Sequence, residues 1–287
     1  LGKIATPVDG TLDDLIDAGR RGDIDQIIIA LPAEADQRIR DIILKLEQLP
    51  VKIGVCSHIA TDVIGSTSDR HQVASLGPIG LINVKVKPIA DWGPVIKRAE
   101  DLLVSAVLLL LLAPVFAVIA IAVKFDSDGP VFFRQRRHGL NHRVIEILKF
   151  RSMRVMEDGA VIRQATRGDP RVTRVGRFLR STSLDELPQL INIFKGDMSL
   201  VGPRPHALIH NEQFGEMLER YANRHQVKPG LTGWAQVNGA RGETGTPEAM
   251  RRRVEYDLYY IDNWSVWFDL RILLATPVYG FTNANAY

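Results

Sequence analysis

Between Arg180 and Pro205 the chain sets two adjacent carboxylates, Asp185 and Glu186, among the cations Arg180, Lys195 and Arg204. A carboxylate attacks phosphorus only where the substrate's negative charge is cancelled nearby, so this grouping suits phosphate chemistry with Asp185 as nucleophile. Ser183 followed three residues later by Glu186 matches a helix-opening capping box, which would hold Asp185 in a first helical turn where the dipole favours an ionised carboxylate. An ordinary helix start has the same pattern. On a helix through Phe194, the residues Leu184, Leu187, Leu190, Ile191 and Phe194 share an apolar face, while Asp185, Gln189 and Asn192 fall on another. Pro188 lacks a backbone donor and can move the helix start later.

The elements that must hold these residues are readable on either side. Gly129 to Phe133 and Val144 to Phe150 read as strands joined by a turn at Gly139-Leu-Asn-His142. Lys149 and Arg151, two apart, then project to one face of an extended chain and could meet an anion together. Arg163 to Arg180 carries six arginines, of which Arg180 stands beside the Ser-rich helix start. Arg204 is fixed by the Gly202-Pro-Arg-Pro205 turn.

These motifs occur in a fixed order: Lys149-Phe-Arg-Ser-Met153, Thr173-Arg-Val-Gly-Arg-Phe-Leu-Arg180, Leu184-Asp-Glu-Leu-Pro-Gln189, Gly196-Asp-Met-Ser-Leu-Val-Gly-Pro-Arg-Pro205 and Val227-Lys-Pro-Gly-Leu-Thr-Gly-Trp-Ala-Gln-Val-Asn238, through to Asn263-Trp264. The set resembles the bacterial sugar transferases, the monotopic polyprenyl-phosphate phosphoglycosyl transferases, over roughly residues 95 to 280. The run from Trp234 to Thr244 is most similar to members that use glucose. The resemblance implies transfer of sugar-1-phosphate, glucose-1-phosphate by preference, from a UDP-sugar to undecaprenyl phosphate with release of UMP. It implies a covalent intermediate on Asp185, a Mg²⁺ ion held by Asp185 and Glu186, and phosphate charge stabilised by Lys149, Arg151, Arg180 and Arg204. Gln236 and Arg241 are candidates for nucleotide or sugar recognition. The expected setting is the cytoplasmic face of the inner membrane, with membrane lipid as a partner and a homodimer as one open option. A membrane-anchored regulatory or scaffolding protein is the alternative.

Composition agrees with this setting. The chain has 287 residues, 46% of them hydrophobic, which favours two domains. A formal charge of +3 spread along the chain gives no ground for nucleic acid as a partner. The single cysteine, Cys56, sits among apolar neighbours and reads as a buried thiol. The chain opens at Leu1 rather than Met, which reads as a piece of a longer protein truncated within its first domain.

The fold class expected is α/β: a partial Rossmann-like module over residues 1–88 and a membrane-associated α+β catalytic domain over 89–287. Ile24 to Leu31 and Val51 to Val55 read as strands around a helix from Ala33 to Leu49, with no G-x-G-x-x-G to bind a dinucleotide. Residues 60 to 90, rich in Ser and Gly, read as the crossing between domains.

Leu102 to Val123 is almost uncharged over about 22 residues, enough at ~1.5 Å per residue to cross a hydrocarbon core of ~30 Å. Pro114 lies in its middle, and both flanks are basic: Lys97 and Arg98 before, Lys124, Arg134, Arg136 and Arg137 after. Those facts favour a re-entrant helix-break-helix hairpin near 95–124, entering and leaving one face, over a Pro-kinked spanning helix.

Three tempting groups are discounted. Asp126-Ser-Asp128 is explained by a turn, and His206 with His210 lacks the glutamate and third ligand of a zinc site. Asp257, Asp262 and Asp269 lie among Tyr256, Tyr259, Tyr260, Trp264 and Trp267, an aromatic density that fits a membrane-interface belt better than a core.

Overall fold

The computed structural model describes residues 10–21, 23–24, 26–32, 35–46, 49, 51–56, 72–76, 79–85, 89, 92–154, 169–206, 221–240 and 246–282. Arg241, His210 and Arg163 lie outside them. The chain divides into two compact units, Leu1–Lys87 and Pro88–Tyr287.

In the first unit, helix α1 (Leu12–Arg21) opens on a reciprocal cap in which Asp14 Oδ2 accepts from Thr11 N at 2.8 Å and Thr11 Oγ1 accepts from Asp14 N at 3.3 Å. Strands β1 (Gln26–Ile29) and β2 (Lys52–Cys56) pair in parallel, with α2 (Asp36–Leu46) between them in the chain. Ile27, Ile29, Ile39, Leu46, Ile53 and Val55 form the core, and the Cys56 thiol is buried and free. The βαβ reading holds, but β1 is buried on one face only. Residues 60 to 90 are more than a crossing. They supply β3 (Gln72–Leu76) and β4 (Ile79–Lys85), an antiparallel pair that extends the sheet in the order β1-β2-β4-β3. The Ser and Gly between their apolar residues hid that periodicity.

The second unit begins with α3 (Gly93–Asp126), 34 residues long, in which the helix continues through Pro114. Proline removes one hydrogen bond and bends a helix without necessarily ending it. Val104, Leu108, Leu109 and Leu112 pack on a core that includes Ile193, Leu200 and Ile272, whereas Phe116, Ile119 and Val123 pack with Phe150 and Leu179. Leu103, Val107, Leu110, Leu111, Val115, Val118, Ile121 and Phe125 stay exposed, leaving an apolar ridge. Two flanking cations serve the fold instead of the lipid surface. Lys97 is buried against Asp269 at 2.7 Å, and the Arg98 guanidinium donates to the carbonyls of Ile193 and Phe194, each at 2.8 Å.

Strands β5 (Phe132–His138) and β6 (Val144–Phe150) form an antiparallel hairpin whose turn places Asn141 and His142 at positive φ. Thr173 caps α4 (Arg174–Thr182) by accepting from Gly176 N at 2.9 Å, and Asp126 Oδ2 accepts from Val175 N at 2.9 Å. That bond gives the Asp126-Ser-Asp128 segment a structural role. A short turn (Leu184–Glu186) leads to α5 (Gln189–Lys195), which ends at Gly196 with φ +102°. Strands β7 (Ser199–Val201) and β8 (Gly230–Thr232) pair in parallel so closely that a Cβ on Gly230 would lie 2.1 Å from Gly202 N. Three helices follow: α6 (Trp234–Val237), α7 (Pro247–Asp262) and α8 (Val266–Thr282).

The helical face foreseen for α5 is rotated. Gln189, Leu190, Asn192 and Ile193 are buried while Phe194 is 45% exposed, because Asn192 has polar work inside. Its Oδ1 accepts from Leu148 N at 2.9 Å and its Nδ2 donates to Glu146 O at 2.7 Å, so one side chain supplies the missing neighbour on the free edge of β6. Asn192→Ala would leave a donor and an acceptor unmatched, each costing about 1–3 kcal/mol. Denaturant unfolding of the detergent-solubilised protein is expected to show a loss of about 2–4 kcal/mol.

Candidate active site

The 184–186 turn is not the start of an α-helix. Ser183 adopts a left-handed conformation (φ 58°) that ends α4, its hydroxyl makes no cap bond, and α5 begins only after Pro188. The expected capping box is therefore absent, and the Glu186 side chain points elsewhere. Its Oε1 accepts from Lys149 Nζ at 2.9 Å and from Arg204 Nη2 at 2.6 Å, while Oε2 accepts from Arg204 Nη1 at 3.0 Å. This forked pairing is the strong, geometrically specific kind. It ties β6, the turn and the Gly202–Arg204 segment into one site.

Burial would raise the Glu186 carboxyl, but Arg204 and Lys149 hold it well below the usual carboxylate range. Asp185 beside it is pushed up to about 6 by burial and by the Glu186 charge, against the pull of Lys149, Arg180 and Arg204. Glu186 is buried while Asp185 keeps part of its surface open to solvent. One carboxylate is thus locked as a counter-ion, and its neighbour remains available to react.

The predicted residues sort accordingly. Lys149, Asp185, Glu186 and Arg204 come together, with Arg180 acting on Asp185 through its charge while its Nη1 contacts Met153 Sδ at 3.5 Å. Arg151 does not join them. It lies one residue beyond β6, is buried, and donates from Nη2 to the carbonyls of Val123 (3.2 Å) and Ser127 at the end of α3. Gln236 is buried and bonds Leu231 O at 3.2 Å, next to the β7–β8 pair.

A buried network behind Arg204 escaped sequence reasoning. Arg224 Nη2 donates to Arg204 O at 2.9 Å, and Arg224 Nε donates to Asp257 Oδ2 at 2.8 Å with both side chains 2% exposed. His206, with Nδ1 2.7 Å from the Tyr221 hydroxyl, is driven well below its ordinary value by burial and by the nearby arginines, so it is neutral. The available signal was Arg253 and Asp257, one helical turn apart on α7. Asp257, Tyr260 and Asp269 are core residues, whereas Tyr259 and Trp267 are exposed, so the aromatic belt is only partly surface.

Because the folded pKa of Asp185 exceeds the ordinary carboxylate value, the folded protein holds a proton there that the unfolded chain has released. This disfavours folding above pH ~6 and fades below pH ~4, where both states are protonated. Asp185→Asn is expected to raise the thermal midpoint of the ligand-free protein by a few degrees at pH 7.5, with the gain shrinking towards pH 4. Melting curves across that range check it, and equal midpoints at every pH would contradict it.

The chain matches the bacterial sugar transferase family over residues 92–283 and a CoA-binding domain family over residues 3–56. It is 45% identical over 278 residues to the UDP-glucose:undecaprenyl-phosphate glucose-1-phosphate transferase of Escherichia coli (strain K12), covering 97% of this chain and 59% of that protein. It is 46% identical over 279 residues to the protein of that name from Klebsiella pneumoniae, again covering 97% of this chain and 59% of the relative. Against the one from Caulobacter vibrioides it is 44% identical over 254 residues, which covers 88% of each. The chain thus spans about three-fifths of the length of the first two relatives. The sugar-transferase match covers two-thirds of the chain, including Lys149, Asp185, Glu186 and Arg204, and the chain belongs to the bacterial sugar transferase family.

Proposed function

We propose that the protein transfers sugar-1-phosphate, glucose-1-phosphate by preference, from a UDP-sugar to undecaprenyl phosphate at the start of exopolysaccharide or surface-glycan synthesis. The observation that carries this reading is the pairing of a clamped Glu186 with a partly exposed Asp185. An Asp185 oxygen attacks the sugar-bearing phosphorus, and the bond from that phosphorus to the bridging oxygen breaks. UMP leaves with the electron pair. An oxygen of the lipid phosphate then attacks the same phosphorus, the aspartyl–phosphorus bond breaks, and the Asp185 carboxylate is restored. Lys149, Arg180 and Arg204 outnumber the Glu186 and Asp185 carboxylates by one, so the site keeps a net positive charge to meet the diphosphate.

Asp185 suits Mg²⁺, which is often held by one or two carboxylates together with substrate phosphates. Glu186 suits it less, because Lys149 and Arg204 already occupy both of its oxygens. When bound, the ion would neutralise diphosphate charge. Purified protein with UDP-glucose and undecaprenyl phosphate is expected to release UMP, to lose turnover in EDTA and to regain it with Mg²⁺. Asp185→Asn should abolish release. Undiminished UMP release by that variant would remove Asp185 as nucleophile.

The packing of α3 supports a re-entrant membrane seating. Near its start Asp101 Oδ1 accepts from Leu200 N at 2.9 Å, at its end Arg151 holds the Val123 carbonyl, and both anchors belong to one polar unit that has to stay in water. The exposed apolar ridge between them is therefore read as dipping into the cytoplasmic leaflet and returning. Asp101 is buried, so label sites belong at the exposed Val95 and Asp128. In a Cys56→Ser background, single cysteines at Val95 and Asp128 should both react from the cytoplasmic side of sealed vesicles. Reaction from opposite sides would establish a span.

A further inference from the structure

We propose that Arg151 is a positioning residue for the second half of the transfer: it fixes the end of α3 against the strand that carries Lys149, so that a membrane-borne phosphate can reach the acidic pair. The proposal rests on the transfer and seating readings above. It gives Arg151 a different part from the phosphate contact that its motif implies, because α3 already engages the guanidinium.

Three consecutive residues make the joint. Lys149 Nζ donates to Glu186 Oε1 at 2.9 Å. Phe150, 1% exposed, packs with Ile119 and Val123 of α3 and meets Phe116 edge-on, with ring centroids 5.3 Å apart. Arg151 N donates to Val131 O at 2.9 Å, and its Nη2 donates to Val123 O at 3.2 Å and to Ser127 O. A slip of α3 along its axis therefore pulls on the two residues that follow the lysine clamping Glu186.

A buried arginine is an expensive way to fill this space. Its side chain is 3% exposed, Nε and Nη1 have no hydrogen-bond partner, and no carboxylate pairs with it among the described residues. The charge is compensated instead by the carbonyl end of α3, the negative end of the helix dipole. An apolar side chain of similar volume would avoid that desolvation, so packing alone does not account for a cation here. Gly129 closes on the guanidinium at φ +119°, where a Cβ would overlap Nη1. Helix end, turn and strand thus have one fit.

The two halves of the reaction make different demands on that fit. A UDP-sugar diffuses to Asp185 from water, whatever the depth of α3. The acceptor phosphate is tethered to a chain in the bilayer, so only its approach depends on where the helix end holds the site. Misplacement by about 1 Å can slow a reaction roughly a hundredfold.

The test uses the purified full chain in vesicles of phosphatidylethanolamine and phosphatidylglycerol. Exchange of labelled UMP into UDP-glucose without undecaprenyl phosphate reads the first half, and discharge of the preformed phosphosugar enzyme onto undecaprenyl phosphate reads the second. Arg151→Met should slow discharge about ten- to hundredfold and change exchange by less than about twofold. Arg151→Lys, which keeps a cation for the helix end and loses the fork, should recover part of the discharge rate. Should the Met variant not fold, Gly129→Ala, which displaces Nη1, should show the same selective loss. Equal losses in both halves, the result of a phosphate contact or of general damage, overturn the proposal, as does undiminished discharge. A readout independent of turnover is energy transfer to headgroup-labelled lipid from a dye on Ser181→Cys, an exposed site before the 184–186 turn, in a Cys56→Ser background. Arg151→Met should shift or broaden that distance, and an identical distance distribution overturns the proposal. Failure of the unmodified protein to exchange UMP would count against the covalent route, while the distance still decides Arg151.

Discussion

Most of the catalytic unit's arrangement depends on the charge of Glu186. A carboxylate that is taken out of water is unfavourable unless close cations and hydrogen bonds replace its hydration, and one partner is seldom enough. Glu186 has two, Lys149 from β6 and Arg204 from the turn after β7, at 2.6 to 3.0 Å. These groups come from segments far apart in the chain, so the ion cluster fixes where the strand, the 184–186 turn and the Arg204 turn meet. It also sets the chemistry next door. With the cations committed to Glu186, Asp185 is pushed up to about 6 by its own burial and then by that adjacent negative charge, and is ionised at neutral pH.

The acidic pair and its cations were legible because phosphate chemistry restricts residue types, and Lys149, Asp185, Glu186 and Arg204 do converge. Local geometry was less legible. Ser-x-x-Glu describes a capping box only if the serine is extended, and Ser183 is left-handed because it terminates the previous helix. Alternation placed Arg151 beside Lys149, but the strand ends at Phe150 and the next residue turns to the carbonyls at the end of α3. Charge counting treated Lys97 as a surface flank, whereas Asp269, far away in sequence, draws it inside. In each case the missing information was a tertiary partner.

The network behind Arg204 was invisible for a related reason. Arg224 lies in a short 3₁₀ segment, and its purpose is evident only from what it reaches: Asp257 on α7 and the Arg204 carbonyl. A buried pair of this kind contributes little net stability compared with apolar packing, but it specifies position strongly, since removing either member strands the other's charge. Here the position it specifies is that of the arginine that grips Glu186.

The same logic links the site to the long apolar helix. Arg151, two residues after Lys149, holds the Val123 and Ser127 carbonyls at the end of α3, and Asp126 accepts from Val175 N at the start of α4. Helix α4 then runs to Ser183, immediately before the 184–186 turn. Both routes from the apolar helix to the carboxylates are short and use hydrogen-bonded backbone instead of flexible linkers. The exposed apolar ridge of α3 and the Asp185 carboxylate are therefore held at a fixed offset, which is what the proposed transfer to a lipid-borne phosphate requires.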